Sequence, residues 1–279
     1  MKLSKVVSRR CRPLLGTFVE ISIESFERQP QVKIAHVKAF ELAFVAIEKV
    51  AAVMSFHDEH SELSALNRAP VGQWVRIGSS LWEVLSLALN LQQRTAGVFN
   101  VAIAGPLISC GRLPGRKSRI DWRHLDRAGF EIDGLRARRI APIKIDLGGI
   151  AKGFAVDQAV EVISKMDTGS TGCVNAGGDL RVFGPGVQSV GIRGSGGFVE
   201  LVRKLQNQSV ATSTVRGSNG NSSYINPRRQ NFLMCSRTVS VVSKSCAIAD
   251  ALTKVVLHLP SGSCAAVADQ FEAKVIFHQ

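Results

Sequence analysis

The sequence predicts an α+β protein, with mainly antiparallel or mixed sheet and helices packed against it. Three observations carry this expectation. Short segments with the period-2 alternation of half-buried strands recur along the chain, several of them set close enough to form hairpins. Segments with an apolar helical stripe are few. Strands and helices do not alternate in the regular βαβ order that a doubly wound parallel sheet requires.

The elements follow in chain order. Val19, Ile21 and Ile23 alternate with Glu20, Ser22 and Glu24, so 19–24 reads as a strand. Gln31–Met54 reads as a helix, because Phe40, Phe44, Ile47, Ala51 and Met54 fall three or four residues apart on one stripe. Ser61-Glu62 opens a short helical turn that ends at Asn67. Ser79–Thr95 is a further helix with Leu81, Val84, Leu85 and Ala88 inward, and Ser79 or Ser80 is its expected cap. Arg112–Arg139 is polar, with nine Lys and Arg against four acidic residues, and reads as a solvated surface excursion.

The pattern then becomes regular again. Ile143–Leu147 alternates apolar residues with Lys144 and Asp146 and reads as a strand running into Gly148-Gly149. Ile150–Met166 is a helix with Val156, Ala159, Val160, Ile163 and Met166 inward. Gly172–Ala176 is a short strand ending at Gly177-Gly178-Asp179. Leu180–Phe183, Val190–Arg193, Phe198–Val202 and Thr238–Ser243 are strand candidates, and a last helix runs over Ala247–His258. Nothing repeats at a fixed period.

Composition bounds the function. The chain has 279 residues, of which 45% are apolar. That is enough for a sizeable core, expected here as one domain over 1–279, with two α+β subdomains around a cleft as the other arrangement. Lys and Arg exceed Asp and Glu by 35 to 22, a net charge of +13. The excess gathers near the N-terminus, in 112–139, and from Arg216 to Arg237, where no acidic residue stands. It implies an anionic partner: a phosphorylated small molecule, a nucleic acid or an anionic membrane surface.

Nucleic acid is set aside, because the basic 112–139 run holds only Trp122 and Phe130 as aromatics and no helix-turn-helix or zinc-finger pattern occurs. The uncharged stretch 95–111 contains Asn100, Pro106 and several glycines and does not read as a membrane span. The first residues are basic without an apolar run, so a cytoplasmic location is expected. Six scattered cysteines with no C-x-x-C pair point to reduced thiols rather than zinc.

Four places carry chemistry. In KIDLGGIAKGFAVD, 144–157, two glycines follow Asp146 and a helix opens with Lys152 in its first turn. Helix N-termini present unpaired N–H groups and a positive dipole end, so this corner suits a phosphate; it equally suits a plain turn. NAGGDL, 175–180, is a second Gly-Gly corner, and two such corners close together suggest a shared ligand cleft that includes Asp179. In AIADALTK, Asp250 shares a helix face with Thr253 and Lys254, which reads either as an oxygen set for Mg²⁺ or as an Asp–Lys helical pair. MSFHDEHSELSALN, 54–67, places Phe56, His57 and His60 after a buried helix.

In their order these motifs, with LLGTF at 14–18 and GVFNVAIAGPL at 97–107, resemble the ApbE-like FAD:protein FMN transferases over nearly the whole chain. The resemblance implies an enzyme that binds FAD and Mg²⁺. It would transfer FMN to a Thr or Ser hydroxyl of a target flavoprotein and release AMP. It implies that Leu15, His57, Phe99, Asn100, Val101 and Ile225 line the FAD site, that Asp146 contacts the flavin nucleotide, and that Lys152 contacts the pyrophosphate. Gly149 and Asp250 would hold the metal, and Asp250 and Lys152 would carry catalysis.

The sequence departs from the family pattern. Asn100 stands for Asp, Thr214 for Gly, Ser223 and Asn226 for the His and Asp of H-I-I-D-P, and Lys254 for a metal-binding Thr. An ammonium cannot ligate Mg²⁺. Either Thr253 supplies the missing oxygen, or Lys254 itself neutralises the pyrophosphate. A flavin-binding relative without efficient transfer is the second functional reading.

Overall fold

The computed structural model describes residues 5–26, 30–117, 121–125, 127–166, 169–215, 224–233 and 236–278. The elements in chain order are β1 (Lys5–Leu14), β2 (Thr17–Phe26), α1 (Pro30–Met54), α2 (Glu62–Arg68), β3 (Val75–Arg76), α3 (Ser79–Arg94) and α4 (Ala104–Ser109). They continue with β4 (Phe130–Asp133), β5 (Arg136–Arg139), α5 (Ala151–Met166), β6 (Thr171–Ala176), β7 (Asp179–Phe183), β8 (Gln188–Arg193) and β9 (Val199–Leu205). The chain ends with β10 (Ser209–Val215), β11 (Ile225–Asn226), β12 (Asn231–Phe232), β13 (Arg237–Ser243), α6 (Cys246–His258), α7 (Ser261–Asp269) and β14 (Lys274–Phe277).

Seven strands form one sheet in the order β1-β2-β6-β7-β10-β13-β14. Each neighbouring pair is antiparallel, as the α+β reading expected. Val19, Ile21 and Ile23 of β2 point into the main core with Phe40, Phe44 and Ile47 of α1. Helix α1 packs on α5, α5 packs on α6, and α6 lies on β10 and β13. The opposite face of β7 and β10 is covered too. Val182 and Val210 pack there with Val190, Ile192 and Leu205 of the β8–β9 hairpin.

Four expectations need correction. Residues 143–147 are extended but join no sheet. Asn67 Nδ2 donates to the Ile145 carbonyl and the Ile145 N–H donates back to Asn67 Oδ1, each at 2.8 Å, while the Asp146 N–H donates to the Val101 carbonyl at 2.8 Å and the Lys144 carbonyl accepts from the Ala104 N–H at 3.2 Å. Gly78, not a serine, caps α3; its N–H donates to Glu62 Oε2 at 2.6 Å. The basic 112–139 run is not wholly solvated. It contains the β4–β5 hairpin with buried Phe130 and Ala137, and buried Arg139 donates to the carbonyls of Leu66, Ala69 and Ile143. Helix α7 follows α6, which is therefore not the last helix.

Candidate active site

A cavity of about 750 Å³ opens where the β1–β2 turn, the end of α1, the 98–103 segment, the 146–152 corner, β10 and α6 meet. That volume is typical of a small-molecule site, roughly 300–1,000 Å³. Leu15, His57, Phe99, Asn100, Val101, Asp146, Gly149, Lys152 and Ile225 all line it, so the structure brings these nine anticipated residues together. Among the described residues it is also lined by Phe56, Leu113, Tyr224, Lys254 and His258.

Part of the cavity lining is charged. The Gly177-Gly178 turn joins β6 to β7 with both glycines at positive φ, and this makes Asp179 the first residue of β7. Asp179 is buried behind Lys152 and pairs with its ammonium. Burial works against the Lys152 charge, but the Asp250 and Asp179 carboxylates outweigh it and hold the ammonium above its usual pKa. Burial raises Asp179, helped by Asp250 and opposed by Lys152 and Lys254.

The second ammonium arrives from α6. Lys254 pairs with Asp250 one turn back, and the Asp250 side chain is wholly buried. The other oxygen of Asp250 accepts from the Gly153 N–H at 3.2 Å. Gly153 explains how the two helices come so close. A Cβ there would stand 2.3 Å from the Cys246 carbonyl oxygen and 2.8 Å from the Ala247 Cα. Only glycine lets α5 press on the first turn of α6, which sets Lys152 and Lys254 at one site.

Asp157, at the end of the Gly-Gly corner motif, fixes that contact. It accepts from Arg181 of β7 at 2.7 Å, from Ser245 Oγ at 2.7 Å, and from the Cys246 and Ala247 N–H groups at 3.0 Å. A carboxylate thus caps α6 from a neighbouring helix. The sequence assigns it no role, because its partners on α6 lie about ninety positions away.

The cavity lining is also apolar in part. Leu15, Phe56, Phe99, Val101, Leu113 and Ile225 contribute to it. Leu15 and Gly16 form a two-residue hairpin turn with φ of 56° and 70°. Asp146 stands at the Gly148 corner, where its carboxylate accepts from the Gly148 N–H at 3.2 Å. Burial raises its pKa against that hydrogen bond and the nearby His57. His258 is held down at a pKa of about 4, chiefly by burial, with a backbone hydrogen bond to Ile225 opposing and Arg229 adding to the shift.

Three anticipated contacts differ from expectation. Asp179 and Asp250 do not line the cavity; each stands behind a lysine that does. Thr253 offers no open oxygen: it is fully buried, donates to the Asp250 carbonyl at 2.7 Å, and shares a hydrogen bond with Ser213 Oγ at 2.7 Å. His60, for which the sequence anticipates no cavity contact, is exposed beside Glu59. Among the described residues, no three His, Cys, Asp or Glu side chains gather as a metal site. No described helix is long and apolar enough to cross a membrane.

The departures have local explanations where they are described. Asn100 Nδ2 donates to the carbonyls of Leu125 and Arg127 at 3.0 and 2.8 Å, and its Oδ1 accepts from Ala102. A carboxylate could not make those two donations. Thr214 accepts from Thr238 across β10 and β13. Asn226 accepts from the Arg229 N–H in the β11–β12 hairpin at 2.9 Å. Ser223 and Arg216 lie outside the described residues.

The sequence profile of the ApbE family matches residues 15–277. The FAD:protein FMN transferase of Treponema pallidum is 27% identical over 190 residues, which is 63% of this chain and 51% of that protein. The FAD:protein FMN transferase of Haemophilus influenzae is 26% identical over 54% of this chain and 48% of its own length. The chain therefore spans about half the length of these curated relatives. The crystal structure of the ApbE protein of Thermotoga maritima superposes with a TM-score of 0.82 at 24% identity, over 98% of this chain and 94% of that one. At that identity the likeness speaks for the fold.

Proposed function

Because this chain belongs to the ApbE family, we propose that it is a flavin transferase that moves the FMN half of FAD onto a Thr or Ser hydroxyl of a target flavoprotein and releases AMP. The naming of its relatives as FAD:protein FMN transferases supports the reading. The observation that carries it is the cavity itself, whose lining combines two lysine ammoniums with apolar side chains such as Leu15, Phe56 and Phe99. Such a lining suits a ligand that carries both a pyrophosphate and a flat aromatic ring.

The residue roles follow from this placement. Lys152 contacts the pyrophosphate and offsets the charge that builds on it during transfer. Asp179 and Asp250 act through the lysines and are positioning residues. Asp146 faces the flavin nucleotide, and Leu15, His57, Phe99, Asn100, Val101 and Ile225 enclose it. In the transfer, the acceptor oxygen bonds to the FMN phosphorus. The P–O bond to AMP breaks with its electron pair left on the AMP phosphate oxygen, and the hydroxyl proton passes to that oxygen or to water.

The donors at the expected Mg²⁺ position do not fit the ion. Asp250 already serves an ammonium and an N–H, and the Thr253 hydroxyl is committed to protein partners. Mg²⁺ favours near-octahedral oxygen coordination.

Incubation of the protein with FAD and an acceptor peptide tests the reading. A covalently fluorescent peptide and stoichiometric AMP are the expected products. FAD bound with neither product formed favours the flavin-binding relative, a reading motivated by the altered 223–227 segment. Absence of any FAD binding rejects both.

A further inference from the structure

We propose that the Lys254 ammonium stands in for a divalent cation, so that this cavity holds the pyrophosphate of its ligand with protein charge alone. The inference rests on the reading of the cavity as an FAD site.

Position comes first. Lys254 lines the cavity, whereas Asp250, its partner, is wholly buried behind it. The pair spans one turn of α6, so the ammonium is fixed in place by its own helix. Gly149, at the phosphate-binding corner, packs against the Lys254 stem: a Cβ there would meet Lys254 Cγ and Phe99 Cε2 at 3.8 Å. Lys254 thus reaches the same corner that carries Lys152.

Charge comes second. Two ammoniums face the cavity, and the two carboxylates that hold them lie behind. The four groups form one electrostatic unit, in which Asp250 acts on Lys152 and Lys254 acts on Asp179. A dinucleotide pyrophosphate carries two negative charges; the two ammoniums turn N–H donors toward it with their carboxylates set behind them, and Arg112 adds a guanidinium to the same cavity lining. Each ammonium has three N–H donors and gives one to its carboxylate.

The same placement disfavours a metal. An ion on Asp250 would sit against the Lys254 ammonium and would have to displace the Gly153 N–H from the other oxygen. Like charges at that separation repel strongly in a partly buried site. The two cations therefore exclude one another, and this chain carries the covalent one.

FAD titration followed by flavin fluorescence or calorimetry tests this without reference to turnover. Wild-type protein is expected to bind FAD equally well in EDTA and in Mg²⁺. Lys254→Thr is expected to bind roughly 10-fold more weakly in EDTA, the weight of a lost charge-assisted hydrogen bond, and to recover in Mg²⁺. Lys254→Arg keeps a cation beside Asp250 and retains binding in EDTA. If the Thr variant fails to fold, judged by circular dichroism, the wild-type and Arg measurements still decide. Wild-type binding that requires Mg²⁺ overturns the inference, as does a folded Thr variant that binds like wild type in EDTA. No FAD binding under either condition rejects the FAD reading itself, a distinct failure.

Discussion

Two parts of the cavity lining bury ionisable groups to opposite effect. Lys152 is partly buried yet keeps its charge, because Asp250 and Asp179 outweigh the burial that opposes it. His258 is also enclosed and is held neutral, because burial dominates and the Arg229 charge pushes the same way. Burial disfavours the charged form at both places. The difference lies in the charges beside each group: the Asp250 and Asp179 carboxylates at Lys152, the Arg229 guanidinium at His258. The cavity is therefore polarised by its second layer of residues.

The largest expected effect breaks the charged pair. Lys152→Met leaves Asp179 buried without its ammonium, and removal of one partner of a buried pair is costly. We expect a loss of about 3 kcal/mol in urea unfolding, together with weaker FAD binding. Adding Asp179→Asn should restore most of the stability and none of the binding. A double variant as unstable as the single one would show that the pair does not set the cost.

The next effect lies at the neutral group. The His258 pKa is lowered from its ordinary 6.5 to about 4 in the folded state. The unfolded chain thus binds more protons between those values, and stability must fall as pH falls through that window. Between about pH 7.5 and about pH 5 the expected loss is about 2 kcal/mol, present in wild type and absent in His258→Gln. Parallel stability curves for the two proteins would mean that His258 is not held neutral.

The legible parts of the molecule are those where one side chain pattern meets one burial pattern. Strand β2 shows alternation because one face is core and the other is not. Strand β10 escaped notice because both faces are covered: Ala211 and Ser213 are as buried as Val210. Residues 143–147 show alternation because they are half-buried, but alternation reports burial and not sheet pairing; the Asn67 amide and the 101–104 backbone take the place of neighbouring strands.

The candidate site divides in the same way. The Asp250–Lys254 pair is local, one helical turn apart, and could be anticipated. The Lys152–Asp179 pair and the Asp157 cap join elements that only folding brings together. Gly153 was the available signal for that approach, a glycine inside a helix where alanine would be preferred. Asp179 and Asp250 were expected to meet the ligand and the metal. Sequence shows a carboxylate near a site but not whether a lysine stands in front of it.

The smallest effect sharpens the comparison from the apolar side, because it separates binding from stability. Leu15 adopts a left-handed conformation, φ 56°, in the turn between β1 and β2, and its side chain lines the cavity. A leucine there carries strain of about 1 kcal/mol that the mirrored two-residue turn would not impose on asparagine. Leu15→Asn keeps Gly16 as the second turn residue and gives the pair that such turns prefer. Thermal or urea unfolding is therefore expected to show a gain of up to about 1 kcal/mol. FAD affinity is expected to fall roughly 5-fold, because an apolar contact with the ligand is lost. Opposite signs in the two measurements would mean that the turn is strained to present an apolar surface to the ligand. A loss in both would make Leu15 a packing residue of the hairpin, and unchanged affinity would place the flavin ring away from this wall.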